Sequence, residues 1–84
     1  MKRYFVTFRS VTYAQRGESV LKEAGISCIL QRTPRWMEEQ GCGYCLGLSL
    51  RDGPGAVAAL RRQQIPFRKV YLRTERGDTQ EVEL

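Results

Sequence analysis

Apolar and polar residues alternate along four stretches of the chain, and two further stretches show apolar residues at helical spacing. Alternation predicts strands over residues 3–9, 26–32, 44–51 and 67–73. Helical spacing predicts helices over residues 11–24 and 52–64, with Ser10 and Asp52 as their N-caps. The predicted order of elements is therefore β-α-β-β-α-β.

This order predicts an α+β fold, a ferredoxin-like two-layer sandwich with an antiparallel sheet and both helices on one face. Residues 1–73 form the single predicted domain, and residues 74–84 are either an acidic tail or an extra edge strand. The sheet face away from the helices is predicted to be half polar. Its predicted members are Ile29, Cys45, Gly47, Ser49, Lys69 and Tyr71.

Length and charge narrow the function classes. A chain of 84 residues supports one small core and no deep active-site cavity. No apolar window is long enough to span a bilayer, and the N-terminus begins with a strand pattern, so we expect a cytoplasmic protein. Residues 1–73 contain thirteen basic and five acidic residues, whereas residues 74–84 contain one basic and four acidic. A basic body suits anionic partners or simply a solvated surface. RNA is disfavoured because the predicted open face lacks paired aromatics.

Cysteine is the leading candidate for chemistry, because the chain has no histidine to act as a general base. Three cysteines are an odd number, which disfavours a disulfide framework, and three thiols cannot fill a four-ligand zinc site within one chain. We therefore expect no metal and no cofactor. Cys28 falls on the inward face of its predicted strand and is interpreted as a small core residue.

The stretch from Gly41 to Gly47 holds the other two thiols. Cys42 lies between two glycines that leave its sulfur accessible, and Arg32 and Arg35 at the other end of the preceding connection would favour its thiolate. The alternative is a strand-entry turn with an incidental cysteine. Cys42 and Cys45 also have the spacing of thiol oxidoreductases, but here the motif leads into a strand and not a helix. Cys45 is therefore kept only as a candidate resolving thiol.

A resemblance to a known family adds to this interpretation. Its residues are Tyr4 to Ser10, Ala14, Glu18, Leu21 to Ile26, Thr33-Pro34-Arg35, Cys42-Gly43 and Leu46. In this order they resemble the small domains grouped as selenium/sulfur carrier-like proteins, over residues 4 to about 72. Cys45 and the acidic tail lie outside that pattern. The resemblance implies that Cys42 is the carrier thiol, Gly43 its companion, and Thr33, Pro34 and Arg35 the neighbouring wall.

The leading hypothesis is a carrier rather than a true enzyme. Cys42 would accept sulfur or selenium from a donor protein such as a cysteine desulfurase, hold it as a persulfide or selenosulfide, and pass it to an acceptor protein. The alternative is a non-catalytic ferredoxin-like module that dimerises through its open sheet face or binds a ligand. The sequence does not distinguish sulfur from selenium, and it does not fix the oligomeric state.

Overall fold

The computed structural model describes residues 3–34 and 43–84, and in these ranges two helices and five strands follow one another. They are β1 (Arg3–Thr7), α1 (Val11–Glu23), β2 (Ile29–Arg32), β3 (Tyr44–Ser49), α2 (Gly53–Arg62), β4 (Val70–Arg73) and β5 (Thr79–Val82). The six predicted elements occur in the predicted order, and β5 follows them. The predicted α+β class is confirmed.

The strands form one sheet in the order β2-β3-β1-β4-β5, and every neighbouring pair is antiparallel. β1 lies at the centre, with Tyr4 opposite Leu48 of β3 and Leu72 of β4. β5 pairs with β4 and so forms one edge of the sheet. The last residue is also attached to the body, because Arg61 Nη1 donates a hydrogen bond of 2.5 Å to the carbonyl of Leu84.

Alternation along the central strands places one set of side chains under both helices. Val6 and Leu46 belong to the same buried cluster as Leu21 of α1 and Leu60 of α2. The helices also contact each other, and Gly17 of α1 is at that junction. A Cβ at Gly17 would lie 3.2 Å from Leu60 Cδ2, so close packing accounts for a glycine inside this helix.

Four local predictions require correction. β4 starts at Val70 and not at residue 67, because its regular pairing with β1 begins at Val70, opposite Val6. β2 starts at Ile29 and not at residue 26, because the Ile26 amide donates to the Leu21 carbonyl (2.8 Å) and so continues the end of α1. The Asp52 side chain makes no capping bond to α2; it accepts a hydrogen bond from Ser49 Oγ (3.2 Å) instead. Leu50 is beyond the end of β3 and is exposed, whereas alternation over the predicted strand 44–51 places it on the core face with Leu46 and Leu48.

Candidate functional site

The two ends of the connection between β2 and β3 meet at one end of the sheet. Arg32, the last residue of β2, is opposite Tyr44, the first residue of β3. One residue further out, the Thr33 amide donates a 2.8 Å hydrogen bond to the carbonyl of Gly43. The antiparallel ladder is thus continued past both strands, and it fixes Thr33 beside Gly43.

Gly43 has a backbone conformation that favours glycine. Its φ is +83°, in the left-handed region where a side chain would be strained. Because the Gly43 carbonyl is already bound by Thr33, this conformation is held in place by the ladder. We expect the strain of a Cβ here to disturb the start of β3.

The Arg32 side chain supplies a positive charge at this end of the sheet. The Arg32 guanidinium carbon lies 5.5 Å from the centroid of the Tyr44 ring, within the range of a cation–π interaction. The ring positions the guanidinium without using its N–H groups, so they can still bind an anion. Arg32 was selected from the sequence and Tyr44 was not; Tyr44 also packs against the main core, and its cross-strand pairing with residue 32 is the signal that identifies its contact with the guanidinium.

Cys45 belongs to a packed region of the sheet. It is 0% exposed and clusters with Phe5, which is 3% exposed, and with the partly buried Tyr71. This cluster is separate from the core beneath the helices. Cys45 therefore lies on the sheet face that was predicted for it, away from the helices. Its side chain is buried, however, whereas that face was predicted to be open. Burial favours a packing role for this thiol over attack on an external sulfur atom.

Cys28 has the opposite electrostatic setting to that of a reactive thiol. It is half-buried just before β2 and packs against the main core, in agreement with the prediction. Burial raises the pKa of the Cys28 thiol, the Glu18 carboxylate raises it further, and Lys22 partly opposes them. A raised pKa leaves less thiolate at neutral pH, so Cys28 is a poor nucleophile.

A comparison with models of known protein families found a match to this chain. The family described as "Putative Se/S carrier protein-like" matches residues 3–72, which is most of the chain. The chain belongs to this family. No match was found among curated proteins or among solved structures. In the residues that the structure describes, no helix is both long and apolar enough to cross a membrane.

The Se/S carrier family match covers all of the residues that the sequence analysis selected. Arg32, Thr33, Pro34 and Gly43 are in the described part of the chain, and the hydrogen bond and pairing above bring Arg32, Thr33 and Gly43 to one end of the sheet. Cys42 and Arg35 lie outside the described residues. The assignment of Cys42 as the carrier thiol therefore stays a prediction.

Proposed function

We propose that this member of the Se/S carrier family accepts a sulfur or selenium atom on Cys42, holds it as a persulfide or selenosulfide, and passes it to an acceptor protein. The observation that supports this most strongly is the family match over residues 3–72, which includes the Cys42-Gly43 pair. The geometry at Gly43 is consistent with it. Transfer of a single atom between accessible thiols needs no enclosed cavity, so it suits a chain of this size.

The proposed step is an exchange of one sulfur–sulfur bond for another. The Cys42 thiolate attacks the outer sulfur of a persulfide on a donor such as a cysteine desulfurase. A new bond forms between Cys42 and that sulfur, the donor's own S–S bond breaks, and the donor cysteine leaves as a thiolate. No external oxidant or reductant is consumed. A selenosulfide donor reacts in the same way, with selenium as the transferred atom.

The residues around Gly43 would assist the transfer by supplying a positive charge and by leaving room for the donor protein. A cation near a thiol favours its thiolate, and Arg32 supplies one at the correct end of the sheet. Gly43 has no side chain to obstruct the donor protein. In this proposal Thr33, Pro34 and Arg35 form the wall beside the thiol, and Cys28 and Cys45 take no part in the transfer.

Mass spectrometry tests the proposal directly. The protein is incubated with a cysteine desulfurase and cysteine, then digested, and each cysteine peptide is examined for a gain of one sulfur atom, about 32 Da. We expect the gain on the Cys42 peptide alone. Cys42→Ser should abolish it, and Cys28→Ser, the matched control, should leave it unchanged. Equal loading of the Cys42→Ser protein would contradict the proposal.

A second candidate function rests on the sheet face away from the helices. Ile29, an edge-strand residue on the same face as Cys45, is 51% exposed. An exposed aliphatic residue on an edge strand suits pairing with a second copy of the chain. Light scattering of the wild type and of Ile29→Lys tests this: a dimer that the substitution converts to a monomer supports it, and a monomeric wild type refutes it.

A further inference from the structure

Three arginines surround a cleft at the opposite end of the sheet from Gly43. The cleft has a volume of about 390 Å³ and opens between the start of β1 and the turn that joins β4 to β5. Its lining residues are Arg3, Phe5, Gln31, Arg73, Thr74, Glu75, Arg76 and Gly77. The lining thus includes three arginines and one acidic residue, Glu75, so the cleft carries net positive charge.

The fold places two of these cations against each other. Arg3 of β1 is directly opposite Arg73 of β4, at a Cα separation of about 5 Å. Like charges in this position destabilise a sheet. Within residues 3–34 and 43–84, neither side chain forms an ion pair, and neither does that of Arg76. An anion between them would remove this repulsion.

Two polar atoms of the cleft lack the hydrogen bonds that burial normally requires. Arg3 Nε and Thr74 Oγ1 are both shielded from solvent and have no hydrogen-bond partner in the described part of the chain. A buried polar atom without a partner loses its hydration without compensation, so such atoms are uncommon and need an explanation. Both atoms belong to side chains that line the same cleft, and because they are shielded, each side chain must rotate toward the cleft to meet a bound acceptor.

The turn between β4 and β5 holds the Thr74 hydroxyl in a fixed position. The Thr74 amide donates to the Asp78 carbonyl (2.8 Å), and the Thr74 carbonyl accepts from the Gly77 amide (2.9 Å). Gly77 completes the turn with a φ of +89°, and the Arg73 Nη2 atom lies close to it. The backbone of Thr74 is thus hydrogen-bonded through both its amide and its carbonyl, while its hydroxyl has no partner among the residues that the structure describes.

We propose that this cleft binds a tetrahedral oxyanion, the phosphate or sulfate group of a small molecule. Three guanidinium groups, one hydroxyl and the Gln31 side chain present more donors than the two oxygens of a carboxylate can accept. A phosphate group offers three or four oxygens, and planar guanidinium groups pair well with it. Glu75 opposes binding by its charge and so limits the affinity.

The arginine end of this cleft is distant from the carrier thiol proposed above, although the cleft also reaches Gln31, which is opposite Cys45 of β3. Ser49, opposite Arg3, is six residues along β3 from Gly43, which corresponds to about 20 Å at roughly 3.3 Å per residue. Oxyanion binding and sulfur loading can therefore be measured independently. Cys42→Ser is expected to bind the anion as the wild type does, so failure of either proposal leaves the other intact.

Titration with inorganic phosphate tests the cleft. Amide NMR shifts of Thr74 and Gly77 are followed against sodium chloride at equal ionic strength, with sulfate and glycerol phosphate as further arms. We expect saturable phosphate-specific shifts. Arg73→Gln and Thr74→Val should each weaken binding, about tenfold for the arginine, since a charge-assisted hydrogen bond is lost. Glu75→Gln should tighten it, and Arg62→Gln, an exposed position on α2 that does not line the cleft, should not change it.

The titrations distinguish a phosphate ester, the free anion and a non-specific effect of salt. Binding of glycerol phosphate much more tightly than free phosphate identifies an ester as the ligand class, and equal binding identifies the free anion. Shifts that chloride reproduces at the same ionic strength would overturn the proposal. An unchanged affinity in both Arg73→Gln and Arg76→Gln would overturn it as well; both side chains are exposed, so neither variant should unfold the protein.

Discussion

The packed body of the sheet and its Gly43 end differ in burial and in charge. In the body, Cys45 is fully buried with Phe5, and Cys28 packs against the core with a raised pKa. At the Gly43 end, a left-handed glycine is bound to Thr33 and lies beside the Arg32 cation. A thiol in the body thus behaves as a small apolar group. The body therefore offers a thiol burial and apolar contacts, whereas the Gly43 end offers a neighbouring cation.

The largest expected effect is a loss of stability in the packed body of the sheet. Leu46 is completely buried beneath the helices, and truncating such a leucine removes its burial and leaves a cavity. We expect Leu46→Ala to lower the free energy of unfolding by about 2 to 5 kcal/mol, measured by urea denaturation. Persulfide loading of the folded fraction should be unchanged. Loss of loading in a fully folded Leu46→Ala protein would show that the two regions are not separable.

A smaller effect is expected at Cys45. Alanine or serine at this position removes the sulfur atom that packs beside Phe5 and Tyr71, so Cys45→Ala and Cys45→Ser should each destabilise the protein by about 1 kcal/mol. Both proteins should still take up sulfur and release it to an acceptor at the wild-type rate. Slow release from Cys45→Ala would instead assign this thiol the resolving role.

Removing the charge of Arg32 should change the reactivity of the Cys42 thiol without changing the free energy of unfolding. We expect Arg32→Gln to slow alkylation of Cys42 by iodoacetamide about two- to fivefold near neutral pH, since one nearby cation stabilises the thiolate by up to roughly 1 kcal/mol. Its unfolding free energy should stay within about 0.5 kcal/mol of the wild type. Arg51→Gln, an exposed arginine beyond the other end of β3, is the matched control. Equal rates in the two variants would exclude Arg32 from the site.

The smallest effect concerns Cys28. Its pKa is raised first by burial and then by Glu18, so its alkylation should reach half-maximal rate at a pH above that of an ordinary thiol. Removing a negative charge favours the thiolate; Glu18→Gln should therefore lower this midpoint, whereas Lys22→Gln should raise it. Because the folded state raises this pKa, the associated stability is complete below the ordinary thiol pKa and is lost as pH rises through the raised value. A midpoint that neither substitution moves would contradict this electrostatic account.

Much of the fold was predictable because alternation and helical spacing depend on local sequence. The same rules failed where tertiary pairing decides the outcome. Among the residues that the structure describes, pairing with β3 begins at Ile29, opposite Gly47, so β2 starts there and not at residue 26. The sequence left residues 74–84 open between a tail and a strand, and pairing with β4 makes residues 79–82 a strand.

The candidate site was predictable in part for the same reason. Arg32, Thr33 and Gly43 were selected from charge and motif, and the ladder brings these three together. Alternation assigns Cys45 to a face but does not reveal what covers it, so its burial was missed. The opposition of Arg3 and Arg73 follows from strand register, which the chain's local pattern does not specify.

The most direct test of the central claim is a comparison of all three thiols in one tube. The native protein is alkylated with limiting iodoacetamide near pH 7, and the rate at each cysteine is obtained by peptide mapping at several times. The account predicts that Cys42 reacts at least about tenfold faster than Cys28 and Cys45, because thiolate fraction and access control the rate. Equal rates at the three cysteines, or a fastest reaction at Cys28 or Cys45, would contradict it.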